Sequence, residues 1–347
     1  MRIESSESVS ESVPLSQQEE WKDVTPIPQD DGKHPICPIA YTDEYREIMD
    51  YLRAVMAKEE ISERALTLTG RVIQTNPGHY TAWMYRKRLV EELNADIAGE
   101  LDWVSDISAM YPKNYQLWHH REALVVRLLD PKQATEEQSE AELLRHPVIR
   151  RELQFLDSAL NEDSKNFHAW LYRQWLVRTY NIWEQELIFV NTMINEDVRN
   201  NSAWNQRYFV HLQGRNPTQV ELDSELVSDE IVYAVENIKL APNNESPWTY
   251  IVGLLLRHAP AKLYTELLPK IQELANDKDY SLAMTTTPFY WSALVDIYEK
   301  QARASPEQGK ALIEQAQSIC HSLATEHDPM HGKYWEFRNK SLSELQL

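Results

Sequence analysis

A tryptophan-centred pattern recurs along this chain and limits the available folds more than any other feature. Its strongest copies contain a Trp followed three residues later by an Arg, usually with an Asn four residues before the Trp. The seven copies centre on Trp83, Trp118, Trp170, Trp204, Trp248, Trp291 and Trp335. Successive tryptophans are 35, 52, 34, 44, 43 and 44 residues apart, a spacing typical of helical-hairpin repeats. The pattern therefore predicts a solenoid of helical hairpins.

Local signals within each copy agree with helices. An Asn or Pro at the start is typical of a helix N-terminus, and the Trp and Arg three residues apart share one face of a helix. Only eight of the 347 residues are glycine, against about 7% in average proteins. We expect the tryptophans to form the core between hairpins, and Arg86, Arg121, Arg173 and Arg207 to form buried or partly buried ion pairs.

Charge and cysteine content exclude several classes of protein. The net charge of −19 disfavours binding to nucleic-acid phosphates. Cys37 and Cys320 lie far apart without metal-ligand spacing, which fits a reducing compartment. No signal-peptide pattern and no apolar run long enough to cross a bilayer is present. These features predict a cytoplasmic protein without a transmembrane segment.

Composition divides the chain into a tail and a repeat body. Residues 1–40 are rich in Ser, Glu, Pro and Asp, which predicts a disordered tail, and residues 41–347 form the repeat body. A polar insertion at 130–146 explains the longest Trp-to-Trp step and is interpreted as a surface loop. A second polar stretch covers 216–229. Neither stretch contains a motif that suggests its role.

The repeat resembles that of protein prenyltransferase α subunits. The run from Pro112 to Arg121 matches the second repeat of that family almost residue for residue, and runs 166–175 and 196–209 are also similar. Segments 51–55 and 62–65 resemble the region before the first repeat. The resemblance covers about residues 41–345. It implies an all-α, right-handed superhelical solenoid with a crescent shape.

The resemblance also implies an activity. Within the family, the chain looks like the α subunit shared by farnesyltransferase and type I geranylgeranyltransferase. Such a subunit pairs with a β subunit and transfers farnesyl or geranylgeranyl from its diphosphate to the cysteine of a C-terminal CaaX motif, as in small GTPases. The family binds zinc on the β subunit and magnesium with the diphosphate. The present chain lacks an evident zinc site, since its adjacent His119 and His120 would point about 100° apart on a helix.

Lys113 is the main catalytic candidate. It precedes a helix that Asn114 is expected to cap, and a cation beside the positive end of a helix dipole is unfavourable unless an anion binds there. The resemblance assigns this lysine to the departing diphosphate. It also implies catalytic roles for Tyr115 and His168.

Three further residues match substrate-binding positions of the family. Tyr80 corresponds to an aromatic residue near the reactive end of the isoprenoid. Gln116 corresponds to a residue that reaches the C-terminal carboxylate of the acceptor, and Asn166 to a polar residue beside the diphosphate. Phe167 departs from the family, which often has Tyr there, so no hydroxyl is available at that position.

Structural readings compete with several of these assignments. Asn166 could serve only as a helix cap, and Tyr115 and His168 could pack between hairpins. Two alternatives for the whole chain also stay open at this point. One is a non-catalytic α-solenoid scaffold, and the other is the α subunit of a Rab-directed geranylgeranyltransferase. The end of the chain shortly after Trp335 favours the shared subunit, because Rab-directed subunits carry appended domains in some lineages.

Overall fold

Helices make up the regular structure of the computed structural model, which describes residues 13–214, 222–258, 262–276 and 278–345. Within these ranges no strand is present. The α-helices, numbered in chain order, are α1 (Asp43–Ala57), α2 (Glu63–Thr75), α3 (Tyr80–Glu92), α4 (Ile97–Met110), α5 (Tyr115–Leu128), α6 (Pro131–Glu137), α7 (Glu140–Leu143), α8 (Pro147–Glu162), α9 (Phe167–Tyr180), α10 (Trp183–Glu196), α11 (Asn201–Gln213), α12 (Ser224–Leu240), α13 (Glu245–His258), α14 (Lys262–Asn276), α15 (Ser281–Thr286), α16 (Pro288–Ala304), α17 (Pro306–Ser322) and α18 (Gly332–Ser343).

The helices group into two compact units. Of the described residues, 13–138 and 145–173 belong to the first unit, and 139–144 and those from 174 onward belong to the second. In the first unit, α2 packs on α1 and α3, α4 packs on α5, and α3 packs on α5. In the second unit, α10 packs on α11, α12 packs on α13, and α16 packs on both α13 and α17. All these contacts are between helices, as the repeat predicts.

The Trp helices, which contain the repeat tryptophans, do not pair as expected if the Asn or Pro before each Trp opens a repeat. The Trp helices α3, α5, α11 and α13 pack on the helices directly before them, α2, α4, α10 and α12. The connections between these partners are short, and each contains the cap of the Trp helix, which is His79 for α3 and Asn114 for α5. In these four pairs the Trp helix is therefore the second member of its hairpin.

The repeat tryptophans are buried, which confirms their prediction as core residues, except that Trp291 is only partly buried. Each indole N–H also has a fixed acceptor. In six copies it donates to the backbone carbonyl six residues earlier, at 2.7–3.1 Å. The acceptor carbonyl lies in the turn before the helix, except in the Trp291 copy, where Thr285 belongs to α15. In the other five of these copies, the tryptophan thus ties its own helix to the preceding turn.

The same carbonyls also connect successive repeats. The carbonyl of Pro112 accepts from Trp118 of its own repeat and from the side-chain amide of Asn166 in the next, at 3.1 and 3.2 Å. Equivalent bonds join Asn114 to Pro77 and Asn244 to Val198. One carbonyl with two buried donors therefore joins two turns of the solenoid.

Buried ion pairs form the polar part of the core, as the sequence predicts. Arg121, which is 0% exposed, makes a two-pronged pair with Glu152 at 2.6 and 2.9 Å and lies 3.6 Å from the centre of the Phe155 ring. The same two-pronged geometry recurs in the pairs Arg86–Glu100 and Arg207–Glu230. Arg173 pairs with Asp157 at 2.8 Å. Since a buried charge is costly unless it is paired, these contacts fix how the helices meet.

The N-terminal stretch is more ordered than the predicted tail. Residues 1–12 lie outside the described part of the chain, but two short 3₁₀ helices follow at Leu15–Gln17 and Glu19–Trp21. Leu15, Trp21 and Val24 are buried, and Trp21 packs edge-on against Tyr51 of α1. These apolar residues are too widely spaced to show a helical period, which explains why the sequence did not reveal the contact.

The two polar stretches also differ from plain loops where they are described. Region 130–146 contains the short helices α6 and α7, which bury Ala134 and Leu143. Asp130 caps the first of them by accepting from the backbone N–H of Gln133 at 2.9 Å. In region 216–229, residues 216–221 lie outside the described residues, and α12 begins at Ser224.

Candidate functional site

Lys113 lies in the turn just before α5, in the first unit. Asn114 caps that helix through its side-chain oxygen, which accepts from the backbone N–H of Leu117 at 3.1 Å. The Lys113 side chain is 74% exposed, and its ammonium lies 3.7 Å from a carboxylate oxygen of Asp163. The predicted arrangement is present: an exposed cation stands next to a helix N-terminus, where an anion would be favoured.

Tyr115 and His168 are brought together by the starts of two Trp helices. Tyr115 is the first residue of α5 and is 64% exposed. Its ring meets the imidazole of His168 edge-on, with centroids 4.3 Å apart and an interplanar angle of 88°. The exposed phenol and the half-buried imidazole therefore form one polar-aromatic pair.

The charge state of His168 depends on its surroundings. Partial burial, and secondarily the positive charge of Lys113, lower the pKa of His168 below its usual value. The imidazole is therefore neutral at neutral pH and offers one N–H donor and one acceptor nitrogen. The positive charge of Lys113 also opposes protonation of the imidazole. Lys113, Tyr115 and His168 thus lie near one another at the starts of α5 and α9.

Asn166 stands beneath this site as part of its framework. It is 2% exposed, and its side-chain oxygen accepts from the backbone N–H groups of His168 and Ala169, at 3.0 and 3.4 Å. Its amide nitrogen donates to Pro112. The bonds to His168 and Ala169 are those of a helix cap, as the structural interpretation of Asn166 predicts, and the bond to Pro112 joins two turns. A direct substrate contact, as expected from the sequence, would require Asn166 to give up this cap.

Gln116 and Tyr80 lie on the α3 side of the site. The side-chain nitrogen of Gln116 is 3.5 Å from the carbonyl of Gly78, two residues before Tyr80. Tyr80 is the first residue of α3 and is 65% exposed. It occupies the position in α3 that Tyr115 occupies in α5. Gln116 therefore bridges from α5 toward the turn that presents Tyr80.

Several exposed apolar side chains surround these polar groups. Met84 lies one helical turn after Tyr80, and Phe167 and Leu171 are one turn apart on α9. All three are 47–61% exposed. A group of exposed apolar residues of this kind is typical of an interaction surface. Met84 and Leu171 carry no motif of their own, although the helical period measured from the repeat tryptophans places them on the exposed face.

Asp163 is the other residue near the site that sequence reasoning missed. It ends α8, and its carboxylate contacts Lys113 across fifty residues of chain. Its sequence neighbourhood, Asp-Ser-Lys-Asn, matches the Asp-Val-Arg-Asn turn at Asp197. The repeat thus predicts the turn at Asp163, but it does not predict the contact with Lys113.

The described residues were compared with the requirements of a metal site, a disulfide bond and a membrane span. Among the residues that the structure covers, no three or more His, Cys, Asp or Glu side chains are grouped so that they could hold a metal ion. Cys37 is exposed and Cys320 is buried, and both are free thiols. None of the described helices is long and apolar enough to span a bilayer.

Known proteins share both the repeat and the fold. The protein prenyltransferase alpha subunit repeat matches residues 62–93, 97–128, 149–180 and 183–213. The farnesyltransferase/geranylgeranyltransferase type-1 subunit alpha of Dictyostelium discoideum is 36% identical over 99% of this chain and 98% of its own length. The corresponding subunit of Solanum lycopersicum is also 36% identical, over 99% and 95%.

The chain resembles a type-I enzyme structure over nearly its whole length but a type-2 subunit over only part of it. The structure of Candida albicans protein geranylgeranyltransferase-I complexed with GGPP aligns with a TM-score of 0.74 at 28% identity, covering 94% of this chain and 99% of the matched chain. By contrast, the geranylgeranyl transferase type-2 subunit alpha of Mus musculus is 31% identical over 34% of this chain and 20% of its own length. The chain therefore belongs to the protein prenyltransferase α subunits, in the group of subunits named for both farnesyltransferase and type-1 geranylgeranyltransferase.

Proposed function

We propose that this chain pairs with a β subunit to transfer a farnesyl or geranylgeranyl group from its diphosphate to the cysteine of a C-terminal CaaX motif. The observation that carries this proposal is a grouping at the starts of α5 and α9: Tyr115 packs against His168, and Lys113, just before α5, contacts the turn that precedes α9 through Asp163. Full-length relatives of the same subunit type support it. The acceptors in this proposal include small GTPases with a CaaX end, and the pair acts in the cytoplasm.

Lys113 is the proposed leaving-group residue. When the isoprenoid carbon forms a bond to the acceptor sulfur, its bond to the diphosphate oxygen breaks and negative charge grows on the diphosphate. A fixed ammonium and fixed hydrogen-bond donors at that point stabilise the growing charge. The ammonium of Lys113, the phenol of Tyr115 and the N–H of His168 are donors of this kind. We assign Lys113 the largest share because it alone of the three bears a full charge.

Gln116 and Tyr80 are proposed to position the substrates. Gln116 carries an amide donor that suits the carboxylate at the end of the acceptor. Tyr80 offers an exposed ring that suits the apolar isoprenoid near its reacting carbon. We assign Asn166 an indirect role, because its buried amide holds the turn before α5 and the start of α9, on which the site residues stand.

The exposed apolar group around the site is the proposed docking surface for the β subunit. It comprises Tyr80, Met84, Tyr115, Phe167 and Leu171, which all project from the Trp helices of the first unit. A β subunit covering this group would also exclude water from Lys113, which strengthens its effect on the leaving group. The described residues of this chain do not fit a zinc site, and we assign zinc to the β subunit. Magnesium is assigned to the diphosphate.

A transfer assay tests the proposal. The chain is co-expressed with a farnesyltransferase-type or a geranylgeranyltransferase-I-type β subunit, and incorporation of labelled isoprenoid into a short CaaX peptide is measured. We expect transfer by the pair and none by either chain alone. A stable complex without transfer would instead support the scaffold interpretation. Transfer that needs an escort protein to present a Rab acceptor would support the Rab-directed one.

A further inference from the structure

The backbone around Lys113 is held on both sides. The Pro112 carbonyl accepts from Trp118 and Asn166, and the side chain of Asn114 both caps α5 and donates to Pro77 at 2.8 Å. The Lys113 side chain itself is 74% exposed and has four rotatable carbon bonds. The backbone is therefore fixed, but the position of the ammonium depends on what its charge contacts.

Asp163 provides a fixed contact for that ammonium. One of its carboxylate oxygens accepts from the backbone N–H of Lys165 at 3.1 Å, and its carbonyl accepts from the N–H of Asn166 at 3.0 Å. These bonds orient the carboxylate within its own turn. The other oxygen lies 3.7 Å from the Lys113 nitrogen. The turn that ends at Asn166, two residues before His168, thus also contacts the Lys113 charge.

We propose that Asp163 is a positioning residue, which holds the Lys113 ammonium beside Tyr115 and His168 so that it meets the leaving diphosphate. This inference rests on the proposed function of Lys113. Without Asp163, the ammonium would spread over several rotamers, and only some of them would place it at the departing oxygen. The negative charge of Asp163 also repels the diphosphate. Removing that charge should slow transfer if the positioning of Lys113 dominates and speed it if the repulsion dominates, so the direction of the change tests the proposal.

The substitution Asp163→Asn distinguishes the effect of the carboxylate charge from that of the hydrogen bonds within the turn. Asparagine retains an oxygen that can accept from Lys165, but it loses the negative charge that attracts Lys113. In the αβ heterodimer we expect the single-turnover transfer rate to fall about five-fold, the size expected for an exposed ion pair. The KM for the acceptor peptide should stay unchanged, because Asp163 acts on the leaving group.

Asp197→Asn is the matched control. Asp197 makes the same turn, since its carboxylate accepts from the backbone N–H of Arg199 at 2.9 Å and its carbonyl accepts from Asn200 at 2.9 Å. A loss of turn stability alone would affect both variants alike. We expect Asp197→Asn to transfer at the wild-type rate, and thermal melts of both heterodimers should agree.

A double-mutant cycle with Lys113→Ala completes the test. If Asp163 acts through Lys113, Asp163→Asn should cause no further loss once the lysine is gone. The wild-type advantage over Asp163→Asn should also shrink as salt rises, because screening weakens the ion pair. An unchanged or faster Asp163→Asn enzyme, or an equal loss in the Lys113→Ala background, would overturn the inference. A Lys113→Ala enzyme with full activity would instead contradict the proposed function of Lys113 itself.

Discussion

The buried and exposed faces of the Trp helices differ in how closely they repeat. On the buried face, three repeats use the same two-pronged Arg–Glu pair, with each guanidinium 3.6–3.7 Å from the centre of an aromatic ring. Their indole and asparagine bonds to turn carbonyls recur as well. This constancy is expected where packing alone decides which residue fits.

The exposed face varies from repeat to repeat. Lys165 and Arg199 occupy the position of Lys113, so a cation before a Trp helix is common in this chain. The positions of Tyr115 and His168 are less uniform. In the α11 repeat they are filled by Asn201 and Ser202. Lys113 is therefore distinguished by its neighbours, a phenol, an imidazole and a carboxylate, and not by its place in the motif.

Arg121→Ala should have the largest effect, and it acts on the buried face. The change leaves Glu152 buried without its ion-pair partner, and we expect the free energy of unfolding to fall by about 3–5 kcal/mol. Urea denaturation of the full chain measures this loss. Arg127→Ala, an exposed arginine on the same helix, should stay within about 0.5 kcal/mol of wild type. Equal effects of the two changes would show that the buried pair is not the framework described above.

Asn166→Ala should show whether this residue belongs to the buried framework or to the exposed site. Loss of the cap and of the bond to Pro112 should lower the free energy of unfolding by about 1–2 kcal/mol. Asn161→Ala, at an exposed asparagine of α8, is the control and should change stability by less than about 0.5 kcal/mol. Unchanged stability together with a raised KM for the isoprenoid diphosphate would restore the direct substrate contact.

Lys113→Ala should produce a small change in the pKa of His168. Burial would still lower this pKa, but the repulsion from the ammonium would be gone, so the pKa should rise toward 6.5 without reaching it. Histidine NMR titration of the heterodimer measures the shift, with Lys132→Ala at an exposed lysine of α6 as control. A fixed or lower pKa would show that Lys113 does not act at the imidazole.

The lowered pKa of His168 also makes the stability of the folded chain depend on pH. Because the pKa of His168 is lowered in the folded chain, the unfolded chain takes up its proton first as the pH falls. The contribution of His168 is therefore complete above about pH 6.5 and decreases as the pH drops toward the folded pKa. In Lys113→Ala this acid loss should be smaller. Denaturation midpoints of the two heterodimers between about pH 7 and pH 5.5 would show it.

The sequence could predict those helices whose buried residues recur at a regular spacing along the chain. The Trp helices and the buried state of their arginines follow from spacing alone. The acidic partners could not be predicted, because Glu100, Glu152 and Glu230 lie on other helices, 14–31 residues from their arginines. The packed residues of the N-terminal stretch were missed for a related reason, since isolated apolar side chains show no period.

The same limit applies to the site. The motif placed Lys113 before a helix and marked Tyr115 and His168 as candidates. It could not show that the two rings touch or that Asp163 contacts the lysine, because both contacts join residues about fifty positions apart. Nor could it show that Asn166 is buried. Those features depend on how consecutive hairpins stack, which the sequence of one repeat does not contain.

The most direct test of the account compares Lys113→Ala with Lys165→Ala in single-turnover transfer by the heterodimer. Both lysines are exposed and stand just before an asparagine-capped Trp helix. We expect a loss of about 10²–10³ in the transfer rate for Lys113→Ala and a change of less than about two-fold for Lys165→Ala. Equal losses, or no loss at Lys113, would contradict the claim that the site around Tyr115, His168 and Asp163 makes this lysine catalytic.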